Sequence, residues 1–162
     1  MISGRLGDAG AGLRWVSVSW GGPKDGNLYV LDCRGAKVAK LESLGFVEHV
    51  DAVPSIGGIP TVAVTYVPAT GTGIQLSTVA LVQYRAGRPW KLWDHATFAA
   101  TYVPSSLGPS YEDRTTWRFL QGQSQIELTT VRTDLGKVRR TLKLPIKRYC
   151  LRKSVWRFVE CH

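Results

Sequence analysis

The stretch TVAVTYVPATGTGIQLSTVALVQYR, residues 61–85, decides the fold class. Residues 61–67 and 76–85 are rich in β-branched and aromatic side chains, which favour extended strands. The segment PATGTG, residues 68–73, lies between them and has the composition of a turn. The stretch therefore predicts two β-strands that are joined by a hairpin loop.

The same organisation extends over the rest of the chain. From Leu13 onward, short segments of alternating apolar and polar residues are separated by turn signals about every eight to twelve residues. This spacing is typical of an all-β sandwich or barrel. We predict an antiparallel β-sandwich of about 8–10 strands that occupies residues 13–162 as a single domain. The Gly-rich residues 1–12 are predicted to be a flexible leader, and residues 53–60 a Pro/Gly loop.

Positive charge is concentrated near the carboxyl end of the 162-residue chain. The sequence contains 21 Lys and Arg against 12 Asp and Glu, which gives a formal net charge of +9. Residues 132–162 hold ten of these basic residues but only two of the acidic ones. Because like charges repel one another, this concentration favours a polyanionic partner such as nucleic acid, an anionic glycan or an acidic protein. A solvated, solubilising face is the alternative explanation.

The basic residues fall in predicted strands that have one apolar and one cationic face. Arg148 and Arg152 share a face, and Arg157 lies opposite Phe158. Arginine suits phosphate because its planar guanidinium donates two parallel hydrogen bonds. The predicted nucleic-acid-binding residues are Arg139, Arg140, Lys143, Lys147, Arg148, Arg152, Lys153 and Arg157. The aromatic candidates for stacking on bases are Tyr149 and Trp156, for which packing in the core is the alternative.

The three cysteines leave two interpretations open. Cys33, Cys150 and Cys161 form no CxxC motif. Three reduced thiols would fit a reducing compartment. A bridge between Cys150 and Cys161, with Cys33 left over, would instead imply export.

Motifs of catalysis and metal binding are not found in the sequence. His49, His95 and His162 are isolated and lack the spacing of a zinc site, and the serines lack a GxSxG motif. No apolar run approaches the roughly 18 residues of a membrane helix. We therefore expect no enzymatic activity, no metal, no cofactor and no membrane span.

Two segments carry a family resemblance. Residues 61–85 place Tyr-Val-Pro at the end of a predicted strand, a Gly/Thr-rich loop next, and Val-Ala-Leu in the following strand; residues 96–119 continue the pattern. The matching residues are Tyr66, Val67, Pro68, Gly71, Gly73, Val79, Ala80 and Leu81. This region resembles the central strands of the single jelly-roll coat proteins of small icosahedral plant RNA viruses. A jelly roll is also the core of one class of plant viral movement proteins.

The resemblance covers residues 61–119, and it implies a jelly-roll fold, RNA as partner and self-assembly into a shell. Such coats commonly have a basic amino-terminal arm, whereas residues 1–12 contain a single basic residue, Arg5. The sequence also offers no carboxylate pair that can be assigned to a calcium site between subunits.

We therefore predict a non-enzymatic β-sandwich, coat-like or movement-protein-like, that binds RNA through residues 132–162 and forms homo-oligomers. This function would place it in a virion or in the host cytoplasm. The alternative is an exported β-rich binding module, of inhibitor or immunity type, that recognises an acidic protein or a glycan. That function would place it in the periplasm or outside the cell.

Overall fold

The computed structural model of the protein is built from antiparallel β-strands. It describes residues 5–10, 12–19, 26–41, 44–68, 71, 73–102, 109–136 and 138–161. These residues form thirteen strands and no helix. The strands are Arg5–Gly10 (β1), Leu13–Ser19 (β2), Gly26–Leu31 (β3), Lys37–Leu41 (β4), Phe46–Ile56 (β5), Ile59–Val67 (β6), Ile74–Arg85 (β7), Arg88–Thr101 (β8), Tyr111–Leu120 (β9), Gln125–Asp134 (β10), Arg140–Lys143 (β11), Lys147–Arg152 (β12) and Arg157–Glu160 (β13).

The chain divides into two compact units. The first comprises residues 1–69 and 78–95, and the second comprises residues 70–77 and 96–162. The long strands β7 and β8 contribute residues to both units, so the division does not follow a linker. The single domain over residues 13–162 stays a prediction.

The first unit is a sandwich of two antiparallel sheets. One sheet has the order β1-β2-β3-β4, and β5, β6 and β7 are consecutive neighbours in the other. Alternate residues of β3 are buried, as the two-residue period of a strand requires. The core combines Trp15, Leu28 and Val30 of the first sheet with Val47, Val50, Val62, Val64, Tyr66, Ala80 and Val82 of the second. This packing confirms the predicted antiparallel β-sandwich, although the described residues form thirteen strands rather than about 8–10.

In the second unit, β8, β9, β10, β12 and β13 follow one another as neighbours. Strand β9 pairs along the whole of β10, whereas β11 and β12 share the other edge of β10. Strand β11 pairs with residues 131–134 of β10, and β12 pairs with residues 125–128. Two short basic strands therefore lie one after the other beside the same central strand.

Neighbouring strands are mostly consecutive in the sequence, which is the order of a β-meander. A jelly roll is built from Greek keys, in which a later strand returns to lie beside an earlier one. The all-β sandwich is thus confirmed, whereas the jelly-roll connectivity that the family resemblance implies is not.

The prediction of a loop over residues 53–60 is wrong. Strand β5 continues to Ile56 and β6 begins at Ile59, so that only Gly57 and Gly58 form the turn. Both glycines have positive φ angles, 61° and 76°, which is the geometry of a type I′ hairpin. The buried side-chain amide of Gln83 reinforces this turn by donating to the carbonyl oxygen of Ile56 at 2.9 Å.

Within the predicted flexible leader, the structure instead forms a strand. Arg5–Gly10 pair with β2 in an antiparallel ladder, with one irregularity between Asp8 and Gly10. Small side chains do not prevent this pairing, because the ladder uses backbone groups only. Residues 1–4 and 11 of that leader lie outside the described residues.

Gly45 occupies a position that we expect to reject any side chain. Its φ angle is +79°, and a Cβ atom there would collide with the carbonyl oxygen of Val67. The substitution Gly45→Ala should lower the free energy of unfolding by about 2 kcal/mol or more. Gly136→Ala is the matched control, since no atom lies within 4 Å of a Cβ built there. Urea unfolding of both variants measures the difference, and equal small losses would contradict the close approach at Gly45.

Candidate functional site

The register of β9, β10 and β12 assigns their side chains to two faces. Directly paired residues of an antiparallel ladder point to the same face, and successive residues point to opposite faces. Glu127 of β10 pairs with Arg118 of β9 and with Arg148 of β12. These three side chains therefore lie side by side on one face.

The same register places four more cations on that face, which we call the cationic face. Its six cations are all exposed and come from four strands. They are Arg114, Arg118, Lys143, Arg148, Arg152 and Arg157. Two carboxylates of β9–β13, those of Glu112 and Glu127, share the face. The face therefore keeps a clear excess of positive charge.

The opposite face, which we call the apolar face, holds the buried side chains. Ile126, Leu128 and Phe158 are buried there and Trp117 and Phe119 are half-buried, whereas Arg140, Leu142 and Lys147 are exposed on the same face. The rings of Trp117 and Phe119 meet edge to face, with their centroids 5.4 Å apart. Because these side chains leave water, the charged residues between them must project to the other side.

Glu127 joins two of the cations. Its side chain is only 5% exposed. Arg118 donates from Nε and Nη2 to Oε1 at 3.0 and 2.6 Å, and Arg148 donates from Nε to Oε2 at 3.0 Å. These hydrogen bonds, first from Arg118 and then from Arg148, hold the pKa of Glu127 below its ordinary value of 4.5. One carboxylate thus orients two guanidinium groups and neutralises only one of their charges.

Two further ion pairs occur near the edge that β9 shares with β8. Arg132 donates to both carboxylate oxygens of Asp113, at 2.8 and 2.7 Å, on the apolar face. On the cationic face, Arg114 lies 3.5 Å from Glu112, which also accepts a hydrogen bond from the hydroxyl of Tyr102. The Glu112 carboxylate therefore compensates Arg114 in part.

The structure brings together half of the cations that the sequence predicts as a binding site. Those on the cationic face are Lys143, Arg148, Arg152 and Arg157. The others are exposed elsewhere: Arg140 and Lys147 on the opposite face, Arg139 before β11, and Lys153 in the turn after β12. Residues adjacent in sequence are separated because a strand turns each successive side chain to the other side.

Arg114 and Arg118 are not among the binding residues predicted from the sequence. The signal was present, because in residues 111–120 the positions 114, 116 and 118 are polar while 115, 117 and 119 are Thr, Trp and Phe. That period of two indicates a strand with one cationic and one apolar face. The net charge of the segment is small, and a search guided by net charge therefore passes over it.

The two aromatic residues predicted to stack on bases are not placed among these cations. Tyr149 pairs with Ile126 and Glu160, which puts it on the apolar face. Burial, followed by the nearby Glu160 carboxylate, raises its pKa. Trp156 is half-buried in the turn before β13 and has a φ angle of 50°. Within β9–β13, the cationic face therefore presents charge without an exposed aromatic platform.

A disulfide bond between Cys150 and Cys161 closes the β12–β13 hairpin. The backbone N–H of Cys161 also donates to the carbonyl oxygen of Arg148 at 2.9 Å. Cys33 is an exposed free thiol. Of the two interpretations that the cysteines left open, the structure contains the bridged one.

No family model, no curated protein and no solved structure matches this chain. Among the described residues, no group of three or more His, Cys, Asp or Glu side chains could hold a metal ion. In the same part of the chain, no helix has the length and apolar character needed to cross a membrane. The geometry of the cationic face is therefore the feature that points to a function.

The lowered pKa of Glu127 predicts acid sensitivity. A carboxylate whose folded-state pKa is depressed stabilises the fold above its unfolded pKa, and this contribution is lost as the pH falls through the folded pKa. The free energy of unfolding of the wild type should therefore fall below about pH 4.5. Glu127→Gln should be less stable near neutral pH and should show a flatter decline in acid. Urea unfolding over a pH series measures both, and parallel profiles would contradict the linkage.

The disulfide predicts the labelling pattern of the thiols. Under non-reducing, denaturing conditions an alkylating reagent should modify Cys33 alone, and after reduction it should modify all three cysteines. Replacing Cys150 and Cys161 together by serine should lower the free energy of unfolding by about 2–4 kcal/mol, whereas Cys33→Ser should have little effect. Full labelling without reductant would show that the bridge is absent.

Proposed function

We propose that this protein is a non-enzymatic β-rich module that binds a polyanion on its cationic face. The observation that carries the proposal is the strand register, which gathers six exposed cations from β9, β11, β12 and β13 on one side of the second unit. Same-face neighbours are about 7 Å apart along a strand and about 5 Å apart across strands. An array of this kind suits a polymer that carries charge on successive units.

The disulfide supports action in an oxidising compartment. Disulfides persist in secreted and periplasmic proteins and are rare where thiols are kept reduced. The Cys150–Cys161 bridge lies in the hairpin that carries Arg152 and Arg157, so the proposed site itself contains it. This favours the exported binding module over a coat or movement protein that works in the cytoplasm.

The composition of the face favours an anionic glycan over an acidic protein. Protein interfaces commonly depend on a few large anchors, often aromatic, at their centre. Among the residues within strands β9–β13, Leu142 is the only strongly exposed large hydrophobic one, at 51%, and it lies on the opposite face. Val138, Ile146 and Val155 are exposed in the connections between these strands. Between its cations the face instead presents threonines, Thr116, Thr129 and Thr141, whose side-chain type can hydrogen-bond to sugar hydroxyls.

RNA is the second candidate partner, in a coat-like or movement-protein-like role. The same array of cations could contact phosphates, and Arg offers the bidentate geometry that phosphate accepts. Such binding would depend steeply on salt, because each phosphate contact releases counterions. The RNA would be bound through its phosphate backbone rather than its bases, since Tyr149, which was predicted to stack on bases, lies on the other face.

A pair of double variants separates the effect of the face from that of net charge. Lys143→Glu with Arg152→Glu changes two cations on the cationic face. Arg140→Glu with Lys147→Glu changes the same net charge in the same two strands but on the opposite face. We expect the first pair to weaken binding to a sulfated glycan by at least about 10-fold near 0.1 M salt, and the second by less than about 3-fold.

The measurement is titration with heparin, a carboxylated glycan and an RNA homopolymer across a salt series. Circular dichroism and urea unfolding show that each variant keeps its fold. Equal losses in the two double variants would refute the face as the site. Preference for RNA, together with light scattering that shows large assemblies, would favour the coat-like role over the exported module.

A further inference from the structure

The β12–β13 hairpin ends in two arginines that face each other. Arg152 pairs directly with Arg157, and residues 153–156 form the turn between them. Directly paired side chains have Cβ atoms about 5 Å apart. Both guanidinium groups are exposed and lie on the cationic face, so two like charges are held close together.

This pair differs from the other two neighbouring arginines of the face, which lie on either side of strand β10. Arg118 and Arg148 share the carboxylate of Glu127 between them. Within the part of the chain that the structure describes, the ion pairs involve other cations, and none joins Arg152 or Arg157 to a carboxylate. Like charges directly opposite each other destabilise a sheet. The fold therefore maintains a local repulsion that an external anion would relieve.

The hairpin that carries the pair is held from both sides. The next rung, Leu151 with Phe158, points to the apolar face, where Phe158 is 6% exposed. Beyond that rung, the disulfide joins Cys150 of β12 to Cys161, which directly follows β13. The two arginines are thus fixed to a rigid element rather than to a loop, which lowers the entropy lost when they close on a ligand.

We infer that Arg152 and Arg157 form the anchoring subsite for the ester group of the glycan, which carries three terminal oxygens. The inference rests on the proposed function and specifies its ligand chemistry. Two guanidinium forks offer four N–H donors in two parallel pairs. A carboxylate or a phosphodiester has two free oxygens and meets two arginines with one oxygen each, as Glu127 does with Arg118 and Arg148. A sulfate ester or a phosphate monoester has three, so both forks bind it with two oxygens each and share one of them, which favours the three-oxygen group.

The subsite predicts opposite effects of one substitution on stability and on binding. Arg157→Gln removes the repulsion, so the melting temperature at low ionic strength should rise by about 1–3 °C. The same substitution should lower the affinity for a sulfated glycan by about 10-fold. Arg140→Gln is the matched control, since it removes one exposed arginine from the opposite face. If Arg157 had only a structural role, its replacement would lower the melting temperature of the protein. If its side chain were only solvated, the replacement would change neither the melting temperature nor the affinity.

Three measurements test the inference on the full chain. When melting is measured in about 10 mM and about 500 mM NaCl, the melting temperature of Arg157→Gln should exceed that of the wild type only at the lower concentration, where charges are less screened. Sodium sulfate should raise the melting temperature of the wild type more than that of Arg157→Gln, relative to NaCl of equal ionic strength. Affinities for chondroitin sulfate, for a phosphomonoester-bearing glycan and for hyaluronate should show that the preference for three-oxygen groups is lost in Arg157→Gln. The first two glycans distinguish sulfate from phosphate.

The outcomes separate the subsite from the function. The assignment of the subsite is overturned if Arg157→Gln keeps the wild-type preference for three-oxygen groups over carboxylates. It is also overturned if the melting temperature of this variant does not rise at low salt. If Lys143→Glu with Arg152→Glu still loses binding in that case, the cationic face remains the site of the proposed function. If that double variant binds as well as its control, the proposed function fails, and the subsite fails with it.

Discussion

The two-residue period of a paired β-strand is the constraint on which the second unit depends. Because side chains alternate between faces, Ile126 and Phe158 can be buried only if Glu127 and Arg157 project to the other side. The apolar residues thus fix the register, and the register gathers cations from four strands. Charge is positioned here by the packing of the core, and a slip of one residue would bury the guanidinium groups.

The arginines of the cationic face form two kinds of pair, one with a carboxylate between them and one without. The carboxylate of Glu127 satisfies Arg118 and Arg148 within the fold, so these arginines are oriented but partly neutralised. Arg152 and Arg157 have no such carboxylate among the described residues. A negative partner therefore gains the most binding free energy at the end of the β12–β13 hairpin, and its contacts with the rest of the face are weaker.

Local pattern explains what could be predicted from the sequence. The all-β fold and the alternation of Arg157 with Phe158 depend on residues that are close in the chain. The strands that pair with β10 could not be predicted in this way, because β9, β11 and β12 are segments that no local period connects to it. Local composition was also misleading at residues 53–60, where Pro54 lies at a shift in register and Gly57 and Gly58 form a tight turn.

Strand β13 has a consequence for the behaviour of the protein at high concentration. It is the outermost strand of the second unit in the part of the chain that the structure describes, and it has only four residues. Its first and last residues, Arg157 and Glu160, are charged and exposed. An incoming chain would find few backbone groups to pair with and would meet ionised side chains at both ends. The edge therefore discourages the growth of intermolecular sheets and fibrils.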